Sequence, residues 1–171
     1  MAVEFSLKLN GTVKLFTLLE DSQRVVKGIL RLPEDVMIAA TSKEGQSVVT
    51  DYAQVLLGKN ESNIMFSIPR RGAAILTISK TRDQISERWA TIDAGIFRSA
   101  VSFVLAIGIA IALGRSTRSM IVDDALILKV GRIVKPDPLL ETLQLDKTYS
   151  SLDEAAFEFC KRLGIAGQED R

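Results

Sequence analysis

The longest apolar stretch of the chain lies near its middle. Residues 99–114, SAVSFVLAIGIAIALG, carry no charge and are bounded by Arg98 and Arg115. These sixteen residues exceed the usual strand length of about five or six, so the stretch is predicted to be a helix. A membrane-spanning helix needs about 20 apolar residues. We therefore interpret the stretch as a buried core helix and keep a membrane anchor over residues 99–114 as an alternative.

The predicted helix extends from Ala94 to Gly114, with Asp93 or Thr91 as its N-cap. Short polar side chains at this position accept hydrogen bonds from the first free N–H groups of a helix. Small and large side chains also alternate within the run, and a period of two is typical of a strand. A strand over residues 106–112 is therefore the alternative.

Shorter elements are predicted on both sides of this helix from the spacing of apolar positions. The predicted strands comprise residues 3–9, 36–40, 64–68, 74–78 and 120–122. Two of them, 64–68 and 74–78, form a hairpin. The predicted helices comprise residues 12–30, capped by Thr12 and restarted at Ser22, then 46–57, 138–145, and a last helix that a Ser151–Glu154 capping box begins and Gly164 ends. Residues 81–92 fit either a strand or the approach to a helix.

These elements predict a single α+β domain over residues 1–166, followed by a solvated tail at 167–171. The expected architecture is a mainly antiparallel sheet covered by helices, with the long apolar helix across its buried face. A chain of 171 residues is long enough to bury a substantial core.

The residue types that the sequence lacks exclude several classes of catalytic and metal site. There is no histidine and one cysteine, which excludes Ser-His-Asp catalysis, histidine-ligated zinc and a disulfide framework. Neither a cofactor nor a metal is expected, and an enzyme is the less favoured interpretation. The N-terminus MAVEFSLKLNG lacks the pattern of a secretory signal, so a cytoplasmic location is expected.

The net charge of +1 and the 6% content of aromatic residues give no indication of nucleic-acid binding. The expected partner is another protein, and an exposed sheet edge would also allow a homodimer.

Two groups of charged residues are candidates for ligand binding. Asp123 and Asp124 follow a predicted strand and could offer oxygen ligands to a cation. Adjacent residues of a strand point to opposite faces, so we favour the interpretation that the pair ends the strand and caps the next segment of the chain. The second group would form an anion site and comprises Arg70, Arg71, Arg115 and Arg118. The alternative for these arginines is a solvated position at a hairpin tip and a helix end.

The segment SFVLAIGIAIALG followed by MIVDD resembles a pattern of small bacterial α+β domains, among them immunity proteins of toxin–immunity systems. The resemblance covers residues 82–130 and implies a function in protein binding, without assigning functional residues. The leading hypothesis is therefore a non-enzymatic protein-binding domain, and an immunity-type inhibitor of a bacterial toxin is one form that it could take. The alternatives are a ligand-binding domain or histidine-independent enzyme that uses the Asp and Arg side chains, and a membrane-associated protein.

Overall fold

A seven-stranded sheet forms one layer of the protein in its computed structural model, which describes residues 3–42, 55–80, 87–95 and 99–165. In chain order the strands of the described residues are β1 (Glu4–Lys8), β2 (Val13–Lys14), β3 (Ala39–Ser42), β4 (Leu56–Leu57), β5 (Ser62–Ile68), β6 (Gly72–Lys80), β7 (Arg88–Asp93), β8 (Ile121–Val122) and β9 (Ile133–Val134). The sheet order is β3-β5-β6-β7-β1-β8-β9, with every neighbouring pair antiparallel. Strands β2 and β4 form a separate two-stranded ladder.

Helices cover one face of this sheet. Those of the described residues are α1 (Leu15–Leu30), α2 (Ala100–Thr117), α3 (Pro136–Leu143) and α4 (Leu152–Leu163). Helix α2 contacts β1, β5, β6, β7 and β8 as well as the other three helices, so it lies between the sheet and an outer helical layer. The predicted α+β fold, with an antiparallel sheet and one long buried helix, is confirmed. The predicted tail at 167–171 lies outside the described residues.

Helix α2 is buried on all sides, which explains why its sequence has no polar face. Every residue from Ala100 to Gly114 is buried. By length and composition alone the helix would pass as a membrane span. Its surface is covered by the sheet and by the outer helices instead, which is the position of a core helix and supports the first of the two interpretations made from sequence.

The predicted N-terminus of this helix was wrong. Thr91 and Asp93 belong to β7, which pairs with both β1 and β6, and the helix begins at Ala100. Its N-cap is Ser99, whose Oγ accepts a hydrogen bond from the N–H of Ser102 at 3.1 Å. The alternative strand over residues 106–112 was also wrong, since all of them are helical. The helix continues past Gly114 to Thr117.

Helix α1 is continuous, whereas a cap at Thr12 and a restart at Ser22 were predicted. Val13 pairs with Leu57, so the chain is still extended at the position where the helix was expected to begin. The N-cap is Lys14, and Ser22 lies buried in the middle of the helix. The same pairing corrects the end of the helix predicted over 46–57, because residues 56 and 57 are a strand; residues 46–54 lie outside the described part.

The remaining predictions differ from the structure mainly at element ends. The first predicted strand and the hairpin are confirmed as β1, β5 and β6, and the last helix has the predicted cap at Ser151 and end at Gly164. The strand predicted over 36–40 is displaced to Ala39–Ser42, and the helix predicted from Pro138 begins at Pro136. The strand alternative for residues 81–92 holds from Arg88 onward, and residues 81–86 lie outside the described part.

Candidate functional site

Asp123 is buried, and both oxygens of its carboxylate accept hydrogen bonds from the backbone. Its Oδ1 accepts a hydrogen bond from the N–H of Ile127 at 3.0 Å, and its Oδ2 accepts one from the N–H of Leu128 at 2.8 Å. The side chain has no exposed surface. Asp123 therefore holds the loop between β8 and β9 in shape, as the capping interpretation predicted.

Asp124 points away from its neighbour into solvent. Its Oδ1 accepts a hydrogen bond from Arg132 Nη2 at 2.9 Å. The two aspartates do not converge, so the pair does not form the cation site considered from sequence. Among the described residues, no three carboxylate or thiol side chains lie close enough together to hold a metal ion.

The four candidate arginines lie at opposite ends of α2. Arg71 forms an ion pair with Asp153, and its carbonyl oxygen accepts a hydrogen bond from Ser99, the N-cap of the helix. Arg115 and Arg118 lie in the last turn and at the C-cap. A helix of 18 residues is about 27 Å long at 1.5 Å per residue. Arg70 and Arg71 are therefore far from Arg115 and Arg118, and the four do not build one anion site.

Arg115 lines a polar groove of about 400 Å³ between α1, α2 and α3. Its Nε lies 3.4 Å from Asp137 Oδ1, and the Arg24 guanidinium lies 2.7 Å from Asp21 on the opposite wall. Each guanidinium in this groove faces a carboxylate, so little positive charge is left to attract an anion. The other five candidate residues do not line this groove.

Comparison with known proteins gives no family for this chain. No family model matches it, and neither does any curated protein or solved structure. The similarity to immunity proteins therefore remains a prediction.

A larger groove, of about 420 Å³, lies where three separate segments meet. Its walls are the connection from α1 to β3, the turn after β5, and the start of α4. We call it the apolar groove, because most of its side chains are apolar: Leu32, Pro33, Val36, Met37, Ile68, Pro69, Tyr149 and Leu152. Ser150 and Ser151, with Glu34 and Asp35, supply the polar part of its lining.

The first wall of the apolar groove, the segment after α1, is anchored to that helix at two points. The helix ends with the N–H of Leu32 donating to the carbonyl of Lys27 at 3.0 Å, and Arg31 adopts a left-handed φ of 53°. These contacts are those of a Schellman motif, which turns the chain sharply away from the helix axis. Further along, the N–H of Ile38 donates to the side-chain oxygen of Gln23 at 3.0 Å. The segment between these two anchors is thereby fixed against the helix.

Met37 stands at the edge of this groove with 70% of its surface exposed, the largest exposed fraction of any large apolar side chain among the described residues. A free methionine side chain is flexible and polarisable, and such residues adapt to varied apolar partners. Sequence patterns could not reveal this groove, because its walls lie at residues 32–37, 68–69 and 149–152, far apart along the chain. The local signal was the apolar run at 36–40, which was interpreted as a short strand.

The two charged residues that line the apolar groove, Glu34 and Asp35, are both acidic. Glu34 is exposed and has no ion pair within the described part of the chain, and Glu154 accepts a hydrogen bond from Ser150. Asp35 pairs with Lys27 at 2.8 Å, and the hydrogen bond from Lys27 lowers the pKa of the Asp35 carboxyl below its ordinary value of 3.8. Asp153 pairs with Arg71. On the cationic side, Lys147 lies over the ring of Tyr149 at 5.3 Å and Arg70 follows Pro69. Charges of both signs therefore surround the groove, and of the two carboxylates that line it, Glu34 has no ion pair within the described residues.

Proposed function

We propose that the protein is a non-enzymatic binding domain that acts on another protein through the apolar groove, in the manner of an immunity-type inhibitor. The observation that supports this proposal is the exposed Met37 at the edge of a groove whose lining is mostly apolar and includes the carboxylate of Glu34. Exposed apolar surface enclosed by polar residues is typical of protein-binding sites. The occupant we propose is a partner segment with an apolar side chain next to a lysine or arginine.

Each part of that occupant has a counterpart in the groove. The apolar side chain would lie on Val36, Ile68 and Leu152, and the partner's cation would meet the carboxylate of Glu34. The negative charge of the Glu34 carboxylate would raise the association rate of a basic segment and make it sensitive to salt. The groove walls are already held in place by backbone hydrogen bonds, so binding would need little ordering of this chain.

The test uses a photo-crosslinking amino acid at Met37 of the full chain, expressed in its native cells. The matched position is Phe16, which is 48% exposed and lies near the other end of α1 from the groove. We expect a discrete adduct with one other protein from position 37 and none from position 16. That protein is then purified and its affinity is measured against wild type, Met37→Glu and Phe16→Glu.

Loss of affinity of about tenfold or more for Met37→Glu, with Phe16→Glu unchanged, would support the proposal. For an immunity-type role, co-expression of the chain should also relieve growth arrest caused by the partner. Equal labelling from both positions would overturn it. An adduct with the mass of two copies of this chain would overturn it too, because the groove would then be a homodimer contact.

A further inference from the structure

A second exposed surface lies on the opposite edge of the sheet from β3, in and beside the loop that joins β8 to β9. Three large apolar side chains form it: Leu126 is 49% exposed, Val130 51% and Ile133 65%. We call these three residues the loop surface. Ile133 is on edge strand β9 and lies directly opposite Val122 of β8.

Hydrogen bonds within the loop determine which of its side chains are buried and which are exposed. The N–H of Asp123 donates to the carbonyl of Arg132 at 2.6 Å, which closes the base of the loop. The Asp123 carboxylate binds the backbone of Ile127 and Leu128, and both of these side chains are buried. The apolar residues of the loop therefore form two sets: Ile127 and Leu128 are buried and anchor it, whereas Leu126 and Val130 are exposed.

Cations surround the exposed group. Lys129, Arg132 and Lys135 are all exposed, and of these only Arg132 has an ion pair within the described residues, with Asp124. The Lys129 ammonium lies beside Gly164 at the end of α4, whose last turn carries Lys161 and Arg162. Arg162 forms an ion pair with Asp146, so the cations near the loop surface that have no ion pair within the described residues are three lysines, Lys129, Lys135 and Lys161. The whole chain has a net charge of only +1.

We infer that the loop surface is a site for reversible binding to an anionic lipid membrane. This inference is independent of the proposed function, which concerns a different surface. Apolar side chains flanked by Lys and Arg are the combination that enters the interface of an anionic bilayer. A lipid interface has no shape that must be matched, which suits exposed side chains spread over a loop and the strand beside it. Leu126 also lines a small groove of about 170 Å³ with Lys129 and the end of α4.

We expect the binding to the membrane to be weak and to need both the apolar side chains and the lysines. Three apolar side chains enter only the boundary between headgroups and acyl chains, and the lysines add attraction that salt screens. This mode differs from a membrane anchor over residues 99–114, because α2 stays buried in the core throughout.

The experiment is flotation of the purified full chain with vesicles of phosphatidylcholine alone and of phosphatidylcholine with phosphatidylglycerol at a ratio of about 3:1. We expect flotation with the anionic vesicles at low salt, several-fold less at high salt, and none with neutral vesicles. Ile133→Glu and Val130→Glu should each reduce the bound fraction about tenfold, because each places a carboxylate at the interface. Lys129→Gln should reduce it several-fold.

Phe16→Glu is the matched control, since it adds the same charge to an apolar position on α1 that is 48% exposed, against 51% for Val130. It should float as wild type does. Unfolding midpoints of all variants, measured in urea, confirm that they are folded. Absence of wild-type flotation with anionic vesicles would overturn the inference, and so would unchanged flotation of folded Ile133→Glu. A protein adduct from a photo-crosslinker at position 133, without vesicle binding, would assign the surface to a protein partner instead.

Discussion

Val26 of α1 packs directly onto Gly108 of α2. A Cβ atom placed on Gly108 would lie only 2.6 Å from Val26 Cγ2, closer than carbon atoms approach in folded proteins. The glycine therefore sets how near the outer helical layer approaches the central helix. This contact explains why a residue that disfavours helices by about 1 kcal/mol relative to alanine occurs in the middle of α2.

Gly108→Ala should destabilise the protein despite the better helix propensity of alanine. We expect a loss of about 1–3 kcal/mol in the free energy of unfolding, because valine has a stiff side chain and α1 must move. Urea denaturation measures this loss. Gly28→Ala is the matched control: its new Cβ would meet only the flexible end of Leu140 at 3.3 Å, and its stability should be equal or higher.

A double variant separates the clash from other effects of the substitution. In a Val26→Ala background, Gly108→Ala should cost much less than in wild type, because the opposing methyl group is gone. An equal cost in both backgrounds would show that the contact between Val26 and Gly108 is not what requires the glycine.

Asp123→Asn should be destabilising, whereas Asp124→Asn should not. An asparagine retains one acceptor oxygen, so one of the N–H groups of Ile127 and Leu128 would face an NH₂ group, at an expected cost of about 1–3 kcal/mol. Asp124 loses only an exposed ion pair, which is worth about 0–1 kcal/mol. Urea unfolding of the two variants gives the comparison, and losses of equal size would contradict the structural role assigned to Asp123.

Two buried serines should respond in opposite ways to replacement by alanine. The Oγ of Ser22 is buried and has no hydrogen-bond partner among the described residues, so Ser22→Ala should be neutral or stabilising by up to about 1 kcal/mol. The Oγ of Ser102 accepts a hydrogen bond from the N–H of Ala73 at 2.8 Å, so Ser102→Ala leaves that buried donor unpaired and should cost about 1–3 kcal/mol. Thermal and urea unfolding distinguish the two, and a large loss for Ser22→Ala would show that its hydroxyl has a partner in solution.

The ion pair between Lys8 and Glu87 predicts a pH dependence in the acid range. The hydrogen bond from Lys8, with Nζ 2.7 Å from Oε1, lowers the pKa of Glu87 below its ordinary value of 4.5, although burial partly opposes this. A lowered pKa in the folded state means that the contribution to stability is complete above pH 4.5. It is lost as the pH falls through the lower pKa of the folded state.

Glu87→Gln isolates this contribution. Wild type should be more stable than the variant at pH 6, and the two urea midpoints should converge as the pH is lowered toward 3. A difference that stays constant between these pH values would show that the charge of Glu87 is not the source of its contribution. Glu141→Gln serves as the control, because Glu141 is exposed and has no ion pair within the described residues.

The capping features that the sequence predicted for α4 are local, and this is why they were correct. Ser151 Oγ accepts a hydrogen bond from the N–H of Glu154 at 3.1 Å, and Gly164 has the left-handed φ of 72° that ends a helix. One detail differs: the Glu154 carboxylate accepts from Ser150 rather than from the cap residue itself. The β5–β6 hairpin was equally predictable, because both strands and their turn lie within 19 residues.

The candidate site could not be predicted in the same way. Asp123 and Asp124 are adjacent in sequence, yet one is buried as a loop anchor and the other is in solvent. The four arginines were considered as one anion site, but Arg70 and Arg71 are separated from Arg115 and Arg118 by the length of α2. The apolar groove went unnoticed because its walls come from three distant segments, none of which has a distinctive pattern of its own.

By itself, the sequence determined the α+β class, the central apolar helix and the last helix, since these depend on composition, period and spacing over a few turns of chain. Tertiary structure decided that Thr91 and Asp93 belong to a strand, that Val13 pairs with Leu57, and which charged side chains meet. Those outcomes depend on pairing between residues far apart in the chain, and a hydrogen-bonded neighbour in a sheet outweighs the local preference of the residue for a cap or a turn.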